Sequence, residues 1–292
     1  MFYSGIITKL TEVFMTLVAL VASFFPSTAV KADPMPERAV GTDIRVVSFN
    51  LRCTGLGKTS VEYREPLMIA QLEECGADSM GFQEANLEWL LYLKEDLGDY
   101  DYIGVPRTDG DVLGEASPIF YLKDKYDAVE SGTFWLSKTP DKIGSRNWGS
   151  AYPRVCTWVL LENKETGERY VHFNTHLDHI SEKARAEQVK VLLNKINEYI
   201  DKYPVVLTGD FNDEIGSEMY NEAVSVLTDC RTAAPVTSDK FTYHNYGSAH
   251  DLIDFIFVNS KVTPLVYHVI DNKINDAYLS DHFGLYVDLK LG

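Results

Sequence analysis

From Ile44 onward the chain alternates short runs of β-branched and aromatic residues with longer stretches of helical period. The runs Ile44 to Phe49, Ser79 to Phe82, Pro118 to Leu122, Gly132 to Leu136, Val155 to Leu161, Tyr170 to Asn174, Val205 to Leu207, Phe255 to Val258, Leu265 to Val269 and Phe283 to Leu289 read as strands. Between Ser181 and Ile200 the apolar residues Ala184, Val189, Leu192, Leu193, Ile196 and Ile200 fall on one stripe, which predicts a helix. Ser181 is placed to cap it and Glu182 to meet the positive end of its dipole. Two further helices are predicted over Val61 to Glu74 and Asn86 to Leu97. The turn-rich stretches Arg107 to Ser117 and Lys138 to Pro153 are too short to separate domains, so residues 33 to 292 read as one domain.

The first thirty residues differ from the rest. Val13 to Val30 carries no charge, Lys9 precedes it, and Val30, Lys31, Ala32 supplies the small-residue pattern of a cleavage point. The expectation is a signal peptide over residues 1 to 32 and an exported protein, periplasmic or extracellular. Pro26 and a run shorter than the roughly 20 residues of a span argue against a retained anchor and against a stable membrane span in the mature chain.

Composition narrows the function classes. At 45% apolar and 24% charged, the 292 residues exclude a disordered chain. A net charge of −16 excludes the broad basic surface of a duplex-coating protein, though it leaves room for a carboxylate cluster that holds a divalent cation. Cys53, Cys75, Cys156 and Cys230 lack metal-type spacing and read as buried apolar residues or free thiols, with a single disulfide as the lesser alternative.

Polar residues follow apolar runs at five strand ends: Asn50, Glu84, His176, Asp210 with Asn212, and Asp281 with His282, while Asp254 lies inside a sixth strand. Asn and Asp end strands routinely as turn formers, but strand ends on one rim also bring distant residues into one cleft. Asn50, Glu84 and Asp281 make an all-oxygen set that suits Mg²⁺, with Mn²⁺ or Ca²⁺ as alternatives, and suits zinc poorly. Asp254 is placed to orient a histidine and keep it cationic. Asp210 is the candidate to align or deprotonate water, with Asn212 holding that water or the developing oxyanion. Metal, base and cationic donor together are the parts of a phosphate-ester hydrolase.

The motifs SFN at 48 to 50, QE at 83 to 84, THLDH at 175 to 179, GDFN at 209 to 212, IDFIFV at 253 to 258 and SDH at 280 to 282 occur in the order of the endonuclease/exonuclease/phosphatase superfamily. The chain resembles that superfamily over residues 43 to 290. The segment from Gly114 to Trp158 resembles an exported bacterial branch of it. The resemblance implies that Glu84 is the direct metal ligand, with Asn50 beside it and Asp281 completing the site. It implies that Asp210 and Asn212 activate the water, that His282 paired with Asp254 touches the scissile phosphate, and that His176 is a second catalytic histidine partnered by Glu115. Arg154 falls where related deoxyribonucleases contact phosphate. Two departures weaken a DNA-repair role: Asp251, Leu252, Ile253 stands where many members carry a basic residue, and Leu113 stands near the place of a nuclease tyrosine.

The expected fold is therefore α/β, a four-layered sandwich of two mixed, mainly antiparallel sheets packed face to face and flanked by helices. The expected protein is a monomer that hydrolyses a phosphate ester with metal-aligned water. A phosphodiester, nucleic acid or nucleotide-like, is the first expectation. A phospholipid or sugar phosphate is the alternative within the same machinery, and a catalytically silent binding protein the alternative outside it.

Overall fold

Two six-stranded sheets carry the molecule, and each contains a single parallel pair among otherwise antiparallel neighbours. The computed structural model describes residues 30 to 292. The signal-peptide expectation for residues 1 to 32 falls almost wholly outside them. Residues Ala32–Gly292 form one compact unit. Among the described residues no helix is long and apolar enough to cross a membrane.

The strands in chain order are β1 (Ile44–Asn50), β2 (Ser79–Gln83), β3 (Tyr100–Ile103), β4 (Ile119–Leu122), β5 (Tyr126–Trp135), β6 (Val155–Asn163), β7 (Arg169–His176), β8 (Val205–Asp210), β9 (Thr228–Asp229), β10 (Asp254–Val258), β11 (Val262–Ile270) and β12 (Gly284–Leu291). The first sheet runs β11-β12-β1-β2-β4-β3 and the second β5-β6-β7-β8-β10-β9. The helices are α1 (Val61–Cys75), α2 (Leu87–Asp96), α3 (Glu182–Ile196), α4 (Glu218–Val224) and the single turn α5 (Cys230–Ala233). The fold is the expected four-layered sandwich.

Strand parity builds the layers. On β7 and β8, Val171, Phe173, Val205 and Leu207 point outward and pack with Val189, Leu192 and Ile196 of α3. The alternate residues Tyr170 and Val206 point inward and meet Ile44 and Val46 of β1 in the core between the sheets. Each long helix starts on a side-chain cap: Ser60 for α1, Asn86 for α2, Ser181 for α3, each accepting from a backbone N–H three residues on.

The inward face changes character along each strand. Apolar at one end, it becomes a polar network of Ser79, His172, Thr208, Asn174, Gln83 and Ser48, all buried. His172 bridges Ser79 Oγ and Thr208 Oγ1 at 2.9 Å each, and Gln83 Nε2 donates to Asn174 Oδ1 at 2.7 Å. Gly81 permits this approach, since a Cβ there would lie 2.2 Å from Thr208 Oγ1 and 2.6 Å from Asn174 Oδ1. One step further along the same faces lie Asn50, His176 and Asp210.

Sequence reading placed the strands near their true positions but shortened β5, which extends back to Tyr126. Its middle residues are exposed, so period and burial give little signal there. Helix α3 ends at Ile196 rather than Ile200, where the chain passes into turns. The short β3, β9, α4 and α5 went unpredicted because two to seven residues offer too little period to read.

Candidate active site

Register, more than proximity in sequence, assembles the site. In the parallel pair β7/β8 His176 stands opposite Asp210, and in the antiparallel pair β8/β10 Asp210 stands opposite Asp254. In β1/β2 Asn50 stands opposite Gln83, so Glu84 follows at the rim. Glu84 and Asn212 both hold a left-handed backbone, φ 56° and 51°, which turns each side chain away from its strand's course. A non-glycine residue held there costs of order 1–3 kcal/mol, a strain characteristic of functional positions.

These residues surround a cavity of about 340 Å³ lined by Glu84, Asp281, Asp210, Asn212, His176 and His282, with Glu115 and Arg154 on its far wall. Every residue expected in the site is therefore brought together: those eight face the cavity, while Asn50 and Asp254 lie directly behind it as hydrogen-bond partners.

Asp254 Oδ2 and His282 Nδ1 are 2.8 Å apart, and His282 Nε2 lies 3.7 Å from Asp210 Oδ2. Burial favours the neutral imidazole, but the Asp254 carboxylate and its hydrogen bond, with Asp210 behind them, outweigh that and raise the His282 pKa. Asp210 is pushed up by burial and by the charge of Asp254, with Asn50 Nδ2 donating to it at 2.8 Å in opposition. His176 behaves oppositely. Burial and the cations Arg154 and Arg107 hold it far below the usual histidine range, so it is a neutral ring with Nε2 at 3.5 Å from Asp210 Oδ2.

Glu84 is the carboxylate kept ionised. Burial alone would protonate it, yet the backbone N–H of Cys53 at 2.9 Å and the Cys53 thiol hold it below the ordinary range. Asn50 Nδ2 also donates to Glu84, at 3.3 Å, while its oxygen accepts from the Arg52 N–H at 3.0 Å. Asp281, pushed up by burial, has Arg52 Nε at 3.5 Å.

Does this donor set fit the divalent cation expected of it? Two carboxylates on a cavity wall, one of them aligned by a carboxamide, match a magnesium-type ion, which takes one or two protein carboxylates and completes its shell with water and phosphate oxygens. The adjacent Cys53 thiol is pushed up by burial and is no thiolate, so the site does not favour a soft metal. Asp210, Asp254 and His282 also lie at ligand-like spacing. Their hydrogen bond and the raised His282 make an ion pair the better description, since a protonated ring cannot ligate. Glu84 and Asp281 are thus the residues that would hold the cation, with Asn50 orienting Glu84 and Arg52 beside Asp281.

Arg107 escaped sequence reading, and Arg154, expected as a phosphate contact, has surroundings the sequence did not indicate. Arg107 pairs with Glu115 through both ends of its fork at 2.8 Å, and its guanidinium lies 4.8 Å over the Tyr152 ring. Glu115 sits 4.0 Å from His176 Nδ1, so its firm partner is Arg107 and its link to the histidine is looser than expected. Arg107 lies in a turn-rich stretch with no motif to mark it. Arg154, at a strand start where solvation is the common outcome, is instead buried, with Nε and Nη1 lacking any hydrogen-bond partner. Burial and Arg107 lower its pKa to about 10, which still leaves it cationic at neutral pH. Its Nη2 is 3.0 Å from His179 Nδ1, and His179 stacks on Tyr152. Arg154 Nε lies 3.9 Å from Asp178 Oδ2, and the residue contributes a buried positive charge to the cavity lining.

Comparison with known proteins agrees with this geometry. The model of the Endonuclease/Exonuclease/phosphatase family matches residues 47 to 282. A Bacteroides vulgatus protein described by that same family name superposes with a TM-score of 0.82 and 34% identity, covering 86% of this chain and all of that one. The mannosyl-6-phosphatase of Bacteroides thetaiotaomicron VPI-5482 gives 0.79 and 36% identity over 85% of this chain and 99% of that one. Among curated proteins, the CCR4-Not complex 3'-5'-exoribonuclease subunit Ccr4 of Aspergillus clavatus is 23% identical over 192 residues, 55% of this chain and 28% of that protein. The chain therefore spans under a third of the curated exoribonuclease it matches. Family match, fold and the convergent strand-end residues lead to one conclusion: the chain belongs to the endonuclease/exonuclease/phosphatase family, whose members are metal-dependent phosphoester hydrolases.

Proposed function

We propose that this chain is an exported, Mg²⁺-dependent phosphatase that removes a terminal phosphate from a sugar. The observation that carries the monoester reading is the placement of cations. Two buried guanidinium side chains, Arg107 and Arg154, line the cavity itself. The chain as a whole carries −16, so a compact dianion inside the cavity is favoured over a polyanion lying across the surface. A volume of about 340 Å³ accommodates a hexose phosphate. Tyr152, half exposed at the cavity wall with Arg107 and His179 packed on its ring, borders the space the sugar would take. The Bacteroides thetaiotaomicron mannosyl-6-phosphatase, 36% identical, supports this substrate class.

The chain's residues divide the chemistry as follows. Arg154 seats the phosphate and His282, cationic through Asp254, donates from Nε2 to a phosphoryl oxygen. Asp210, with its pKa raised toward neutrality, orients a water and accepts its proton as the new P–O bond forms, while Asn212 fixes the water's direction. The P–O bond to the sugar breaks with inversion, the departing sugar oxygen takes a proton from solvent water, Asp210 returns its proton to solvent, and the sugar hydroxyl and inorganic phosphate leave without a covalent enzyme intermediate. A cation held by Glu84 and Asp281 supplies Lewis-acid neutralisation of the phosphoryl charge when bound.

The phosphodiester reading is the one this displaces. The purified protein, assayed with Mg²⁺ and with EDTA against mannose 6-phosphate, bis-nitrophenyl phosphate, single-stranded DNA and RNA, separates the two. Preferred release of inorganic phosphate from the sugar phosphate is expected. Faster cleavage of the diesters would refute the proposal, as would full activity of Glu84→Gln. Export rests on the run Val13 to Val30 and is tested by sequencing the N-terminus of the protein recovered from each cell fraction.

A further inference from the structure

Outside the catalytic cavity, the outer face of the second sheet holds a larger hollow of about 560 Å³, between β5, β6, α3 and the 138 to 153 loop. Its lining includes Trp148, Trp158 and Phe134 with the polar side chains of Asn194, Glu198 and Asp141. We infer that this groove binds the unphosphorylated sugar units of an oligosaccharide whose terminal phosphate occupies the catalytic cavity. The inference rests on the sugar-phosphate reading and extends it from a free sugar phosphate to a phosphorylated glycan.

Three observations carry it. Trp148 is held at φ 55°, a left-handed conformation that a bulky side chain adopts only under constraint. The surrounding loop enforces it: the Trp148 carbonyl accepts from Ser181 Oγ at 2.9 Å, Lys138 N donates to Asn147 Oδ1 at 2.9 Å, and Ala151 N donates to Asp178 at 2.8 Å. Strain stored to present an indole in a groove is spent on recognition more readily than on packing, because Trp148 is only half buried.

Trp158 also lines the groove but is 9% exposed: its ring packs on Phe173 and Tyr199, and its Nε1 passes 3.1 Å from where a Cβ on Gly132 would stand. Trp89 and Trp135 each donate their indole N–H to a backbone carbonyl, whereas Trp158 Nε1 has no such partner among the described residues. The half-buried indole of Trp148, flanked by the Trp158 N–H, a carboxamide and carboxylates, suits a ligand that is apolar on its ring faces and rich in hydroxyls at its edge. Lys195, 4.9 Å over Trp158 and paired with Glu198, lies across part of the ring and is the group a ligand would move aside.

Proximity to the catalytic cavity selects the occupant. Trp148 lines the groove and Tyr152 the cavity, and four residues of chain hold their Cα atoms within about 14 Å. A short oligosaccharide covers that distance from a phosphate seated in the cavity.

The test uses unphosphorylated mannotriose as probe, followed by calorimetry and by tryptophan fluorescence. The full protein is expected to bind it, and Glu84→Gln, impaired in hydrolysis, is expected to bind it equally. Trp148→Ala should weaken binding at least tenfold. Asn194→Ala, an exposed helix-surface change that the fold tolerates, should weaken it several-fold and guards against misfolding of the tryptophan variant. Absence of binding at millimolar mannotriose, or binding that survives both substitutions, overturns the inference. Because the probe carries no phosphate, this outcome is independent of whether sugar phosphates are hydrolysed.

Discussion

His172 should make the stability of this protein depend on pH in a way that one substitution removes. The ring is fully buried between the sheets, its nitrogens taken by Ser79 and Thr208 hydroxyls, and burial lowers its pKa from 6.5 to about 3. In the unfolded chain the ring binds a proton near pH 6.5; in the folded chain it does not until near pH 3. The unfolded state therefore holds more protons across this window. The stabilising contribution is complete above pH 6.5 and falls as pH drops, levelling off near pH 3. Between pH 7.5 and 5.0 the linkage amounts to about 2 kcal/mol. Urea unfolding of the wild type and of His172→Gln at these two pH values supplies the comparison. Glutamine does not titrate, and other groups with raised or lowered pKa values, Glu65 among them, contribute equally to both proteins and cancel. Wild type should lose about 2 kcal/mol more than the variant on acidification, whatever the variant's offset at pH 7.5. Parallel losses would refute the reasoning, because they would mean that the buried ring accepts a proton without penalty.

Three further outcomes follow from the geometry. Gly81→Ala drives a Cβ to 2.2 Å from Thr208 Oγ1, and overpacking of that kind should lower the urea-derived stability by about 1–3 kcal/mol. Asp254→Asn removes the carboxylate 2.8 Å from His282 and should reduce kcat by about 100-fold or more while lowering the thermal midpoint, since the buried imidazole loses its counter-ion, as steady-state kinetics and calorimetry will report. Arg154→Lys keeps a charge at the cavity lining but not the planar fork, so KM for the phosphate ester should rise by roughly tenfold, with inorganic phosphate inhibition weakening in parallel.

How far the site was legible before the structure depends on the kind of residue. Glu84, Asp210, Asn212, Asp281 and His282 each interrupt an apolar run with a polar group, and all of them face one cavity. Asp254 inside its strand was read as the partner of a histidine, and it lies 2.8 Å from His282. Arg107 and Tyr152 were not legible, because loop residues acquire a role from how the loop folds over the rim and carry no periodicity. The inward polar ladder of Ser48, Ser79, His172, Asn174 and Thr208 was present as alternation within strands. It was masked because both faces of those strands are buried, one against helices and one against the other sheet.

Sequence by itself determined the element types, the strand-end residues and, through the order of six motifs, the family. Those are local or ordinal properties, written in period and spacing. Tertiary structure alone decided which carboxylate stays ionised, which histidine is cationic and which arginine is left unsatisfied. Glu84 is ionised because the Cys53 N–H reaches it, His282 is cationic because register sets Asp254 beside it, and His176 is neutral because Arg107 and Arg154 close over it. Protonation is set by burial and by charges a few ångströms away, and neither exists until the two sheets have packed.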